Sequence, residues 1–217
     1  MRQDTRLGQL LQDMFLELRQ KHDKPSEDLL PLYDLQARSL INLGRNEAAR
    51  ELLEQVIRIR ETTQPKTHHS TLTTMSNLAL VLNRLGKYAN AEAINRQTLE
   101  ISEEVLGKTH PDTLTTMSNL ALVLDRLGKY ADAEAMNRQT LEIREEVLGK
   151  THPDTLTSVY CLAYLLQKKQ KYEEASLLYQ RACTGYNLSL GSEHPTTKAC
   201  VTHYSIMLSS LQESNRI

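Results

Sequence analysis

Apolar residues recur at intervals of three and four along most of this chain, which is the spacing of one buried face of an α-helix. A clear case is the run Leu114, Met117, Leu120, Ala121 and Leu124. Polar residues fill the remaining positions, and short breaks with glycine or proline separate the helical stretches. The pattern predicts an all-α protein built from short amphipathic helices.

The helical pattern is itself repeated. The stretch from Lys108 to Gly149 aligns with Lys66 to Gly107 at an offset of 42 residues, and 36 of the 42 positions are identical. Similarity at a fixed period of this size is typical of stacked repeats, because each unit has an apolar face that only a neighbouring unit can cover. We therefore expect a linear array of similar units.

Each unit contains two helices. Gly128 breaks the first helix, and Pro153 follows the second at a position suited to start the next one. The periodicity of the second helix predicts the buried face Tyr130, Ala133, Met136, Thr140, Ile143 and Val147. Each unit is thus predicted to be a helical hairpin.

The repeat period also divides the chain. We predict an N-terminal capping helix at 1–30, a degenerate repeat at 31–67, three repeats at 68–109, 110–151 and 152–193, and a C-terminal capping helix or half repeat at 194–217. The first hairpin is degenerate because Asn46 stands where the next repeat has Tyr88. Terminal units shield the open ends of a stack, but a fragment of a longer array would show the same pattern.

Several short motifs recur at fixed offsets and resemble those of a known family. They are Asn119-Leu120-Ala121, Gly128-Lys129-Tyr130, Ala133-Glu134-Ala135, and Leu148-Gly149 with His152-Pro153. They resemble tetratricopeptide repeats of the 42-residue kind found in kinesin light chains and in the C-terminal arrays of fungal NB-ARC, NLR-like proteins. The resemblance implies a right-handed superhelical solenoid of helical hairpins.

The resemblance also implies a binding surface, because first helices in this family line the concave groove. The implied peptide-binding residues are Thr73, Ser76, Leu80, Asn83, Arg84, Thr115, Ser118, Leu122, Arg126, Tyr160, Tyr164 and Lys168. Cations at the ends of successive first helices would favour an acidic peptide. The alternative is that each cation only complements the negative end of its own helix.

Composition narrows the function classes. Basic and acidic residues nearly cancel, 26 against 27, so net charge gives no support for a nucleic-acid partner. No apolar run approaches the ~18 residues of a membrane span, and the first residues lack the core of a signal peptide. Three cysteines without a CxxC pair fit reduced thiols. We therefore expect a cytoplasmic protein with neither a nucleic-acid nor a membrane partner.

Motifs that suggest chemistry fail on inspection. Gly149-Lys150-Thr151 lacks the earlier glycine of a phosphate-binding loop and follows a predicted helix. Histidines recur once per repeat, which favours helix starts over metal ligands, and no nucleophile, base and orienting group can be assembled. We expect no enzyme activity, no cofactor and no metal.

The remaining function classes are interactions. The leading interpretation is a scaffold that binds a peptide or partner segment in its groove, either as the ligand-sensing array of an NLR-like receptor or as a kinesin-light-chain-like cargo adaptor. The alternative class is a self-associating structural solenoid, in which the last helix pairs end to end with another chain through Val201, Tyr204, Ile206 and Leu208.

Overall fold

The structure is a computed structural model that describes residues 29–63 and 65–214. The predicted N-terminal capping helix at 1–30 therefore lies almost wholly outside the described residues. Most of the described residues are helical, as the periodicity predicted, and the chain falls into two compact units that divide between Lys108 and Thr109.

Nine α-helices lie within the described ranges. The first unit contains α1 to α4 and the second contains α5 to α9; in chain order the helices are Leu30–Asn42, Asn46–Thr63, His69–Arg84, Tyr88–Val105, Pro111–Arg126, Tyr130–Leu148, Pro153–Lys168, Tyr172–Leu190 and Pro195–Ser214. Within each unit every helix packs against the next. None of the described helices is long and apolar enough to cross a membrane.

The recurring histidines start the odd-numbered helices from α3 onward. In each case the Nδ1 atom accepts a hydrogen bond from the backbone N–H two residues later, at 3.2 or 3.3 Å (His68, His110, His152 and His194). This bond satisfies one of the first N–H groups of the helix, which have no partner within it. The prediction that the histidines mark helix starts is confirmed.

The apolar face predicted for the first helices is buried. Leu114, Met117, Leu120, Ala121 and Leu124 of α5 are each about 1–2 % exposed. The same positions of α3 and α7 are also buried, so each first helix contributes its apolar side to the core of its unit. The prediction made from the sequence holds for these helices.

The face predicted for the second helix of the repeat, α6, is partly wrong. Tyr130 is 40 % exposed and Val147 is 50 % exposed. The buried strip is instead Ala133, Glu134, Asn137, Thr140 and Arg144. Its spacing is helical, but most of its members are polar, and a search for apolar periodicity does not detect a polar strip.

Arg144 shows how a charged side chain is accommodated in this strip. Its guanidinium donates hydrogen bonds to Ser158 Oγ at 2.7 Å, to the carbonyl oxygen of Asp154 at 3.1 Å and to that of Leu114 at 3.5 Å. Burial lowers the pKa of Arg144 from its usual value. In the first unit Arg60, at the equivalent position, pairs with Asp34. These arginines tie a second helix to neighbouring first helices.

Candidate functional site

An open cleft of about 280 Å³ lies in the second unit, between the first helices α5 and α7 and next to α6 and α9. Five of the sequence-predicted binding residues line it: Ser118, Leu122, Arg126, Tyr160 and Tyr164. They come from two successive repeats, so the cleft joins the equivalent faces of neighbouring first helices.

One wall of the cleft belongs to α5. Ser118, Leu122 and Arg126 follow one another at intervals of four residues and therefore lie on the same side of this helix. The Ser118 hydroxyl donates to the Leu114 carbonyl oxygen at 3.0 Å. Leu122 is 42 % exposed, which leaves a large apolar side chain open to a ligand between two polar positions.

The opposite wall is aromatic. Tyr160 and Tyr164 of α7 meet His203 of α9, with the Tyr160 and His203 rings stacked at 5.8 Å and the Tyr164 and His203 rings 5.5 Å apart. The Tyr160 hydroxyl is also hydrogen-bonded to His203 Nδ1. Burial raises the pKa of Tyr160 to about 12, so its phenol stays neutral at ordinary pH.

Lys168 is engaged within the protein. Its Nζ lies 2.8 Å from both carboxylate oxygens of Asp125, which is buried, and over the rings of Tyr130 and Tyr164 at 5.7 and 5.5 Å. This ion pair and the two cation–π contacts hold Lys168 at the end of α7. Its positive charge is largely offset by Asp125, whereas Arg126 is exposed at the cleft.

The remaining predicted binding residues lie outside this cleft. Thr115 is exposed near the start of α5 and donates to the Pro111 carbonyl oxygen. In the first unit α3 carries Thr73, which is exposed, then Ser76, Leu80 and Asn83, which are half-buried, and finally Arg84. Arg84 donates to the Ile41 carbonyl oxygen at 3.0 Å, near the end of α1, where this oxygen also accepts from the Gly44 backbone N–H.

Six residues that line the cleft were not among the predicted binding residues: Ala121, Asp125, Asn137, Cys161, Leu165 and His203. His203 lies two repeat periods after Asn119, and this shared position in the repeat was the available signal in the sequence. Asn137 lies on the buried strip of α6. Asn137 could have been noticed in the sequence because an asparagine recurs at this position, with Asn95 one period earlier.

The cleft offers several groups for non-covalent contacts. Leu122 and Tyr164 offer apolar surface, Arg126 offers a guanidinium, and Asn137 offers an amide. Within the described ranges, no three His, Cys, Asp or Glu side chains are grouped so as to hold a metal ion. The arrangement suits one apolar side chain together with polar or acidic groups of a ligand.

Helical hairpins that repeat at a fixed period and expose their first helices along a cleft define an α-helical repeat protein of the solenoid class. Tetratricopeptide repeat models match residues 28–97, 70–146 and 155–196. The chain belongs to the tetratricopeptide repeat family. No curated protein has a significant sequence match to it.

Solved structures share this fold. A kinesin-light-chain-like protein of Podospora anserina with nearly identical TPR-like repeats is 26 % identical, with 87 % of this chain and 89 % of that chain covered and a TM-score of 0.72. BtubC of P. vanneervenii is 16 % identical, with coverages of 97 % and 90 % and a TM-score of 0.64. A Rap protein complexed with Competence and Sporulation Factor is 15 % identical, with coverages of 83 % and 54 % and a TM-score of 0.64.

Proposed function

We propose that this protein is an interaction scaffold without chemistry of its own, which binds a peptide or an extended segment of a partner protein along its first helices. The observation that carries the proposal is the open cleft of the second unit, which is lined by five of the binding residues that the family resemblance implied. A cleft that exposes apolar and cationic groups side by side suits a ligand in which an apolar side chain is flanked by acidic residues.

The proposed ligand segment carries one apolar side chain next to acidic residues. Leu122 and Tyr164 would cover the apolar side chain, whose full burial is worth about 1.5–3 kcal/mol. Arg126 would pair with a carboxylate. Because Lys168 is paired with Asp125 and Arg84 with a backbone carbonyl, the acidic preference rests on Arg126 more than on the row of cations predicted from the sequence.

Buried amides give the proposal further support. Asn137 reaches the cleft, and Asn95 occupies the equivalent position one period earlier. Asn95 is fully buried, and neither of its side-chain polar atoms has a hydrogen-bond partner among the described residues. The amide of Asn137 lies at the cleft within reach of a ligand, whereas the amide of Asn95 has no exposed surface.

The relatives suggest two settings for such a scaffold. Likeness to the Podospora anserina protein favours a kinesin-light-chain-like cargo adaptor. The near identity of the second and third repeats suits the ligand-sensing array of an NLR-like receptor, in which repeats duplicate and diversify at their binding positions. The Rap structure with its bound factor shows that a similar fold holds a ligand, which supports binding in either setting.

Self-association is the second candidate, and one observation favours it. Val159 of α7 is fully buried, whereas Val201, one period later on α9, is 47 % exposed. Ile206 on the same helix is 54 % exposed. The position that covers apolar surface in α7 is thus open on α9, where a repeat of a second copy would offer the matching apolar face.

A peptide array tests the leading proposal. The wild-type protein is incubated with peptides in which acidic residues flank one apolar residue, and with matched peptides in which the acidic residues are amides. We expect the acidic set to bind, the Arg126→Glu variant to bind about tenfold more weakly, and binding to weaken as salt is raised.

Lys150→Glu is the matched control, because Lys150 is an exposed cation of the same unit outside the cleft. It should leave peptide affinity unchanged. Tyr164→Ala removes apolar surface without changing charge and should weaken both peptide sets. Equal binding of wild type, Arg126→Glu and Tyr164→Ala would show that this cleft is not the binding site.

A further inference from the structure

Two cysteines meet where α8 packs against α9. The Sγ atoms of Cys183 and Cys200 lie 2.9 Å apart, although the residues are 17 positions apart in the chain. Cys200 is fully buried and Cys183 is half-buried, whereas Cys161 on α7 is exposed. A disulfide needs an S–S separation of about 2.05 Å, so the two sulfur atoms need to approach by less than ~1 Å.

We propose that Cys183 and Cys200 form a reversible disulfide that fastens α9 to α8, which makes this pair an oxidative modification site. The contact is between two side chains on facing helices, so the bond would form without a change of helix register. Neither thiol is required for the cleft chemistry described above, since Cys183 and Cys200 do not line the cleft.

The oxidant is a low-molecular-weight disulfide such as glutathione disulfide. The Cys183 thiolate attacks one sulfur of the oxidant, forms a mixed disulfide and releases one equivalent of thiolate. The Cys200 thiolate then attacks Cys183 Sγ, forms the protein disulfide and releases the second equivalent. Two protein thiols are oxidised and one small disulfide is reduced to two thiols, which carry the two protons.

The order of attack follows from accessibility. Cys183 is half-buried and within reach of a small oxidant, whereas Cys200 has no exposed surface. Burial also raises the pKa of both thiols, which lowers the thiolate fraction and makes the exchange slow. Once Cys183 carries the mixed disulfide, the contact with Cys200 makes the second step intramolecular.

The bond would restrain the helix that carries His203. His203 lies three residues after Cys200, about one helical turn away on α9. In the reduced protein α9 is held to α8 by packing, by stacking of Tyr204 on Tyr179 at 5.7 Å, and by a hydrogen bond of 3.0 Å between Ser176 and Tyr204. A covalent link between the helices would oppose opening of α9 and keep His203 against Tyr160 and Tyr164.

Peptide mapping tests the modification. The full chain is incubated with glutathione disulfide, alkylated and digested without reduction. We expect a cross-linked peptide that joins Cys183 to Cys200 and is about 2 Da lighter than the two reduced peptides together. Cys161→Ser is the matched control and should form the same cross-link. A stable glutathione adduct on Cys183, or a cross-link that includes Cys161, would overturn the proposal.

Hydrogen exchange of the wild-type chain tests the restraint on α9. The amides of α9 should exchange at least ~10-fold more slowly in the oxidised than in the reduced protein, and a reductant should restore the faster rate. Equal exchange in both states would overturn the claim that the bond fastens α9. Because this comparison uses one protein in two redox states, it does not depend on a variant that folds.

A consequence for ligand affinity would rest on the function proposed above, whereas the cross-link and the exchange rates do not. Oxidation should raise affinity for the acidic peptides, because α9 is then held in the position that completes the cleft. If the cross-link forms and α9 is protected but no peptide binds, the proposed function fails and the modification site stands. If peptides bind but no cross-link forms, the modification site fails and the proposed function stands.

Discussion

The repeats at 68–109 and 110–151 differ at six positions. At two of these positions the later repeat places a charged side chain in the interior of the second unit. Ser102 is replaced by Arg144, whose guanidinium bonds to Ser158 and to two backbone carbonyls. Asn83 is replaced by Asp125, which pairs with Lys168. Both changes introduce a charge together with its partners, which is the condition under which a charged group is tolerated inside a protein.

A single turn residue departs from the repeat pattern. Gly44, Gly86 and Gly128 end the first helices of their hairpins with φ between 71° and 75°, and Gln170 occupies the same position with φ of 60°. A residue with a Cβ is strained in this left-handed conformation, whereas glycine is not. The last hairpin therefore contains a small, local strain that the other hairpins avoid.

This strain gives a reciprocal pair of predictions. Gln170→Gly should raise the free energy of unfolding by about 0.5–1 kcal/mol, and Gly128→Gln should lower it by a similar amount. A Cβ on Gly128 would meet no heavy atom within 4 Å, so backbone strain is the only expected cost. Urea unfolding followed by circular dichroism measures both. If Gly128→Gln raised the free energy of unfolding instead, the left-handed φ would not be what limits the stability of this turn.

At the scale of the elements, a carboxylate on α6 connects three parts of the second unit. Glu134 is hydrogen-bonded to Arg138 of its own helix at 2.9 Å, to Lys169 at the end of α7 at 2.5 Å, and to Lys171 at the start of α8 at 3.0 Å. Burial by itself raises the pKa of Glu134, but these hydrogen bonds outweigh it and lower the pKa to about 2. Ionised Glu134 therefore stabilises the turn between α7 and α8.

The pKa of Glu134 predicts a pH dependence of stability. A carboxyl whose pKa is lower in the folded protein than its ordinary value of about 4.5 stabilises the fold above that value. This contribution should be lost as pH falls from about 4.5 towards 2. Urea unfolding at several pH values measures it.

Glu134→Gln should remove part of the loss of stability between these two pH values. Glu146→Gln is the matched control, because Glu146 is an exposed carboxylate on the same helix, and it should leave most of the acid dependence in place. An identical acid dependence in wild type and Glu134→Gln would show that the cluster does not stabilise the turn.

The elements also show what periodicity predicts. First helices bury mainly leucine, methionine, valine and alanine, with a few threonines, so most of their inward faces follow from the apolar spacing. Second helices such as α6 bury asparagine, threonine and arginine, and this face was assigned incorrectly at Tyr130 and Val147. Hydropathy identifies a buried face only when that face is apolar.

At the scale of the whole molecule, the described residues form two compact units of stacked hairpins, each with its own core. Because the helices repeat, each first helix has an equivalent apolar surface, and a neighbouring helix covers this surface in some repeats but not in others. Val201 and Ile206 on α9 are exposed, although the position equivalent to Val201 is buried on α7. If two copies associate, as the second proposal holds, this exposed surface of α9 is where they would meet.

Light scattering at increasing concentration tests this association. We expect the apparent mass to rise above that of one chain, and Val201→Glu to suppress the rise because a charge would be buried in the contact. Thr202→Glu is the matched control, since Thr202 is the exposed neighbour of Val201. The control should weaken association less. A constant monomer mass at all concentrations would exclude the structural alternative and leave the peptide-binding proposal unaffected.

The sequence by itself determined the class of this protein, because a 42-residue period of amphipathic helices can bury its apolar faces only by stacking one hairpin on the next. The resemblance carried by its motifs also implied a binding surface on the first helices, and five of the implied residues line the cleft of the second unit: Ser118, Leu122, Arg126, Tyr160 and Tyr164. Tertiary structure alone decided the partners of the charged and polar side chains. Lys168 meets Asp125, Tyr160 meets His203, and Cys183 meets Cys200. The two members of each pair are far apart in the chain and come together only when their helices pack, so a local sequence pattern does not predict the contact.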